Sequence, residues 1–211
     1  MKIVEDRFKL EMGDWEKRTF GDMNIAHTER FNEIGYPSPS APSVFLLYRA
    51  EKFMAENYMM PAIPFDMEMT LPYPAFPGDY ICRQKYPEDN GPIHVEFEHA
   101  NDGIVASMLF ENYDSTNQRG NGTPKLVSHD FGDFIHNFFE HEDRIGAVLG
   151  QVNMRFYETP EARPLKLDLS VDKNEKRNGR IRNYHVNGFG SQGLRRIIEI
   201  TSARFVKKIF Q

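Results

Sequence analysis

The sequence predicts an α+β protein in which a buried helix is followed by long antiparallel strands, and this order occurs twice. In residues 1–114 an apolar segment with helical spacing precedes a set of strand-like segments. In residues 125–211 a second apolar helix precedes a second set. The stretch between them, 115–124, is polar and contains glycine, which is typical of a linker. We therefore expect two α+β units packed as an internal dimer.

The first helix is predicted over residues 41–59, APSVFLLYRAEKFMAENYM. Pro42 suits the first helical turn, and Val44, Leu47 and Tyr48 recur at about the 3.6-residue period of a helix. Apolar side chains cover nearly the whole circumference, so the helix is expected to be buried.

The strands of the first unit are indicated by alternation of apolar and polar residues. PFDMEMTLPY alternates with period two. IHVEFEHANDGIVASMLFENY predicts a hairpin with an Asn-Asp-Gly turn, and His94 and His99 are expected on its solvent-facing side. We expect at least four antiparallel strands here, and a helix-bearing loop before the first helix.

The second unit is predicted to begin with a helix over 128–142 that carries a cluster of phenylalanines. Alternating segments follow it, among them VNMRFYETPEARPLKLDLSV and LRRIIEITSARFVKKIF. Joining the two sheets edge to edge would hide edge strands that isolated units would expose.

Composition excludes some classes of function. The 211 residues carry a formal net charge of −5, so the chain has no general attraction for nucleic acid. The basic run KNEKRNGRIR, 173–182, fits a solvated hairpin turn best; the alternative is a pocket for the phosphates of coenzyme A or of a carrier-protein arm.

The single cysteine, Cys82, cannot form an intrachain disulfide, and no signal-peptide pattern opens the sequence. The longest apolar segments fall far below the ~20 residues that a membrane helix needs. We therefore expect a cytoplasmic protein that does not enter a membrane.

The stretch GDMNIAHTERFNEIG, 21–35, holds a candidate catalytic pair. Asp22 and His27 could act as acid and base, because a carboxylate and an imidazole can divide proton donation and water activation between them. The alternative is an ordinary polar turn that caps a helix, for which Asp22 and Asn24 are also well suited.

Three landmarks in order carry a resemblance to a known family. Gly21-Asp22-x-Asn24-x-x-His27, GYPSPSAPSVF and LPYPAFPGDYI together resemble the MaoC-like (R)-specific enoyl-CoA hydratases and 3-hydroxyacyl dehydratases, which have the hot-dog fold. The resemblance covers about residues 5–113, and the second half is similar in element order only. It implies a double hot-dog, with two long buried helices each wrapped by an antiparallel sheet.

The resemblance also implies roles for individual residues. Asp22 and His27 would activate the water that adds to, or leaves, an α,β-unsaturated thioester of coenzyme A or acyl carrier protein. Asn24 would orient them at the substrate, and a backbone N–H near Ser43 would bind the thioester oxygen. No metal or cofactor is expected. The protein is expected to form a homo-oligomer, namely a dimer.

Two alternatives remain at this point. The same fold supports a thioesterase, in which Asp22 or Glu51 on the buried helix would activate water against the thioester carbonyl. The second alternative is a non-catalytic subunit that binds an acyl chain or a partner. It is suggested because Pro42-Ser43 stands where active members of the family have histidine-glycine.

Overall fold

A computed structural model describes residues 1–16, 24–57, 61, 63–87, 91–112, 127–158, 165–176 and 180–208. Asp22 and the predicted linker 115–124 therefore lie outside the described residues.

Along the described chain a helix is followed by a set of strands twice, as the sequence predicts. The strands are β1 (Lys2–Leu10), β2 (Phe65–Thr70), β3 (Gly78–Tyr86), β4 (Ile93–His99), β5 (Gly103–Asn112), β6 (Val148–Phe156), β7 (Lys166–Lys176), β8 (Ile181–Gln192) and β9 (Arg195–Lys208). The helices are α1 (Gly13–Glu16), α2 (Ser43–Glu56) and α3 (Ser128–Phe139), with 3-10 helices at Ile25–His27, Glu29–Ile34 and Glu142–Arg144. Helix α2 precedes β2 to β5, and α3 precedes β6 to β9.

The described strands form one antiparallel sheet in the order β1-β3-β4-β5-β2-β6-β9-β8-β7. Strands β2 and β6 meet at its middle, where Phe65 pairs with Phe156 and Met69 pairs with Val152. The rings of Phe65 and Phe156 lie 5.0 Å apart between centroids. The expected edge-to-edge continuity of the sheet is therefore present, with a shared apolar core beneath the joint.

The sheet covers two helices that contact each other, α2 and α3. Alternate residues of β2, β3 and β4 are buried, so one face of each strand packs on the core. On the α3 side, Phe138 and Phe205 stack with centroids 3.8 Å apart. No helix among the described residues is long and apolar enough to cross a membrane.

Both helices are shorter than predicted. α2 begins at Ser43 because Pro42 is extended, with φ −62° and ψ 144°, and the N–H of Ala41 donates to the carbonyl of Ala75 instead of entering a helix. α3 ends at Phe139, and a separate 3-10 helix follows at Glu142–Arg144.

Two sequence predictions are wrong. Residues 2–10, expected within a helix-bearing loop, form strand β1. β1 pairs with β3 on one side and has no strand partner on the other among the described residues, and most of its side chains are at least partly exposed. His99, expected on the solvent face, is 7% exposed. Alternate residues of a strand face the same side, so His99 faces the core together with the buried Ile93 and Val95 of β4, whereas His94 faces the other side.

Candidate functional site

A cavity of about 670 Å³ opens beside the start of α2. Its walls come from segments distant in sequence: the 3-10 helix at Ile25–His27, residues 71–76 before β3, the C-terminal half of α3, and strands β6 and β9. This volume lies within the range of about 300–1,000 Å³ that is usual for small-molecule sites.

His27 lies on the cavity wall with its imidazole fixed by the backbone. Its Nδ1 atom is 2.6 Å from the carbonyl oxygen of Ser40. A carbonyl oxygen only accepts hydrogen bonds, so Nδ1 carries the hydrogen, and in the neutral ring Nε2 is the basic nitrogen. The hydroxyl of Ser40 lies 3.3 Å from the same Nδ1.

Asn24 holds the turn that carries His27. Its side-chain oxygen accepts from the N–H of Ala26, which caps the 3-10 helix, and its Nδ2 donates to the carbonyl of Ala147 at 2.7 Å. The indole Nε1 of Trp15 donates to the carbonyl of His27. The turn is thus tied both to α1 and to the segment just before β6.

The first turn of α2 lies at the same cavity. Ser40, which is buried, donates its N–H to the carbonyl of Ala26, so the loop before α2 is bound to the His27 turn. The N–H groups of Phe45 and Leu46 bond to the Pro42 carbonyl, and the N-cap has no side-chain hydrogen bond. The earlier N–H groups, beginning with Ser43, are helix-terminal donors at a positive dipole end.

The structure brings three of the four sequence-predicted site residues to one cavity: His27, Asn24 and Ser43. The expected separation of roughly 3 to 6 Å between Asp22 and His27 stays a prediction. Among the described residues that line the cavity there is no aspartate or glutamate. Within the described part of the chain, no three His, Cys, Asp or Glu side chains are grouped to hold a metal ion.

Glu51 belongs to α2 but does not line this cavity; its carboxylate lies at the start of α3. Its carboxylate is fully buried and accepts from the N–H groups of Val127 and Ser128, the latter at 3.2 Å. Burial raises the pKa of Glu51 to about 7, against the opposing effect of the hydrogen bonds from Ser128 and Val127. Glu51 therefore covers the start of α3, while the start of α2 faces the cavity.

The remaining lining divides into an apolar wall and a cationic rim. Ile135, Phe139 and Leu149 supply apolar surface. Arg204 and Lys208 are exposed on β9 and line the cavity as well. The sequence alone does not indicate Arg204 and Lys208 as site residues, because no local pattern relates β9 to a histidine some 180 residues earlier.

No family model and no curated protein matches the chain. Solved structures do match along nearly its whole length. A putative oleoyl thioesterase from Lactobacillus plantarum is 6% identical with a TM-score of 0.55, over 100% of this chain and 98% of that one. A putative thioesterase II from Thermobifida fusca is 8% identical with a TM-score of 0.56, over 99% and 96%.

The dehydratase domain of PpsC from Mycobacterium tuberculosis, solved in complex with C12:1-CoA, is 9% identical with a TM-score of 0.55, over 98% and 94% of the two chains. At such identities the likeness concerns the fold alone. The protein has the hot-dog-like fold that these dehydratases and thioesterases share.

Proposed function

We propose that the protein is an acyl-thioester hydratase or dehydratase of the MaoC-like type, and hence a lyase. In this proposal residues 1–114 and 125–211 are two hot-dog units, joined by 115–124, and homodimerisation remains an expectation. The sheet order supports the division, because β1 to β5 lie on one side of the β2–β6 joint and β6 to β9 on the other.

The observation that carries the proposal is the placement of His27 beside the start of α2. The Ser40 carbonyl fixes the imidazole with Nε2 as its basic nitrogen, and Ser43 begins a helix at the same cavity. Hydration of an enoyl thioester needs this combination, a base for water and N–H donors for the oxygen on which negative charge develops.

The reaction balances with these groups. Nε2 of His27 removes a proton from water as the water oxygen bonds to the β-carbon of the enoyl thioester. The electrons of the carbon–carbon double bond move toward the thioester oxygen, where the N–H of Ser43 stabilises the enolate. The proton returns to the α-carbon through the pair of His27 and Asp22, and dehydration is the same path reversed.

Thioester hydrolysis is the second candidate. The same water would attack the carbonyl carbon instead, and which carbon lies nearest His27 decides between the reactions. In that candidate Asp22 or His27 would activate the water, because Glu51 is held at the start of α3.

The test incubates the protein with enoyl and saturated acyl thioesters of coenzyme A, with double-bond absorbance and free thiol measured in the same wells. Loss of absorbance without thiol supports hydration, and thiol release supports hydrolysis. No change in either, for every chain length, contradicts both and favours a non-catalytic acyl-binding subunit.

A further inference from the structure

Strand β9 brings two positive charges to the rim of the candidate site. Arg204 and Lys208 both line the cavity and are both exposed. Residues four apart on a strand lie on the same face, with Cα atoms about 13 Å apart. Long flexible side chains at that spacing can converge on one anion or contact two neighbouring ones.

Neither cation is neutralised within the described residues. Arg83 contacts Glu5 and Glu98, and Arg182 contacts Glu175, but no ion pair is formed by Arg204 or Lys208 in the described parts of the chain. Exposed cations at the rim of a cavity, without a carboxylate partner, are available to an anionic ligand.

The guanidinium of Arg204 lies beside Gly150 of β6. A Cβ built on Gly150 would lie 3.4 Å from Nη2 of Arg204, so the guanidinium packs against the Gly150 backbone. Gly150 itself lines the cavity, and its carbonyl accepts from the N–H of Leu71, another lining residue. The guanidinium therefore lies where the wall from residues 71–76 meets β6.

A third cation, Lys207, lies between these two on β9, with the opposite strand parity. Lys207 has a lowered pKa, first because it is partly buried and then because Arg182 lies close; Lys173 adds to this, and Asp143 opposes it. β8 pairs Ile181 with Lys208 and Arg182 with Lys207, so the end of the basic run adjoins this rim, with Arg182 itself paired to Glu175. Cations at the rim of a cavity attract polyvalent anions.

An acyl thioester in the cavity has two chemically different ends. The apolar wall suits the acyl chain, whereas the carrier arm must leave through the opening. That arm carries phosphate in coenzyme A and in acyl carrier protein alike. We propose that Arg204 and Lys208 bind the phosphate groups of the carrier arm, an inference that rests on the proposed function for its choice of ligand.

Binding of unreactive thioethers tests this without any turnover. Titration calorimetry would compare octyl-CoA, octyl-phosphopantetheine and octyl-pantetheine, which carries no phosphate. Wild type is expected to bind octyl-CoA about tenfold or more tightly than octyl-pantetheine, as charge-assisted contacts allow. Raising the salt concentration from about 50 to about 300 mM should weaken the binding of octyl-CoA and leave the binding of octyl-pantetheine unchanged.

The variant Arg204→Met/Lys208→Met should lose the preference for phosphate and keep its affinity for octyl-pantetheine. The control Arg7→Met/Lys166→Met removes the same charge from exposed positions on the outer strands β1 and β7, and should keep the preference. Equal binding of octyl-CoA and octyl-phosphopantetheine would identify the pantetheine phosphate as the recognised group. Tighter binding of octyl-CoA would identify the nucleotide phosphates.

The proposal fails if wild type shows no preference for phosphate, if the double variant keeps it, or if butyl, octyl and dodecyl thioethers of coenzyme A all fail to bind. Failure of the proposed chemistry is a separate result. A protein that loses the preference in the variant, yet transforms no thioester, has the phosphate site without the hydratase activity.

Discussion

The Nδ1 atom of His27 lies 2.6 Å from the carbonyl oxygen of Ser40, and this bond couples a candidate base to the helix that faces it. Ser40 is in turn bonded to Ala26 through its N–H, and Ala41 to Ala75. The imidazole is therefore fixed relative to the first turn of α2 before any ligand binds. Such preorganisation is what acid/base catalysis beside an N–H donor requires.

The first prediction concerns His27. His27→Asn keeps a donor near the position of Nδ1 for the Ser40 carbonyl but has no basic nitrogen, so turnover should fall by about two to four orders of magnitude. Asp22→Asn should reduce turnover by at least about a hundredfold if the pair acts together. Both are measured on whichever thioester the wild type accepts, with melting temperature in parallel.

The control for these variants is His185→Asn, at an exposed position on β8. It should leave both turnover and melting temperature unchanged. Wild-type turnover in His27→Asn and Asp22→Asn would show that neither residue is catalytic, and a change confined to melting temperature would assign them to a structural turn.

The second prediction treats Asn24 as a positioning residue. Asn24→Ala removes the acceptor for Ala26 and the donor to Ala147, both buried, so unfolding free energy should fall by about 1–3 kcal/mol. Turnover should fall through kcat with little change in KM, because the His27 turn is displaced while the cavity remains.

Asn24→Asp separates the two bonds of Asn24. Its carboxylate can still accept from Ala26 but sets an oxygen against the Ala147 carbonyl. If Asn24→Asp loses as much unfolding free energy as Asn24→Ala, the bond to Ala147 is the one that positions the turn. If Asn24→Asp is as stable as the exposed control Asn187→Ala, the bond to Ala147 does not hold the turn.

The helices and the alternating strands could be predicted because their signals are local. α2 and α3 lie within their predicted ranges, and the buried residues of β2 are the apolar positions of its alternation. The contacts that build the site are not local. Asn24 reaches Ala147, and Arg204 shares a cavity with His27, through strand pairings that no sequence spacing reveals.

His99 shows a different reason for a wrong prediction. Its polarity suggested solvent, but its parity on β4 places it inward, where its ring lies 4.9 Å from that of Tyr80 and its Nδ1 lies 2.6 Å from Asp102. The alternation of side chains along β4 therefore decides which way His99 faces, and the Asp102 carboxylate at the hairpin lies beside the polar ring.

That buried ring yields a third prediction, at Gly78 of the FPGDYI segment. A Cβ on Gly78 would lie 2.3 Å from Nε2 of His99, which is packed and cannot move away cheaply. Gly78→Ala should therefore reduce unfolding free energy by about 1–3 kcal/mol, measured by urea denaturation. Gly13→Ala, with no atom near its Cβ, is the control. Equal stability of the two variants would mean that the His99 ring moves freely.

The last prediction concerns the pH dependence of stability set by Glu51. Burial raises the pKa of this carboxyl from 4.5 to about 7 in the folded protein. Between those values the folded state holds a proton that the unfolded state has released, so the free energy of unfolding falls as pH rises through this window. The loss can reach about 3 kcal/mol, at roughly 1.4 kcal/mol for each unit of pKa shift.

Glu51→Gln removes the titration and retains a carbonyl oxygen for one of the two N–H groups at the start of α3. The stability of this variant relative to wild type should therefore rise between about pH 5 and pH 8, whatever the offset at pH 5. Glu56→Gln, exposed on the same helix near Lys52, should show no such trend. If the Glu51→Gln difference were flat with pH, or fell, Glu51 would be ionised throughout and its bonds to Val127 and Ser128 would outweigh burial.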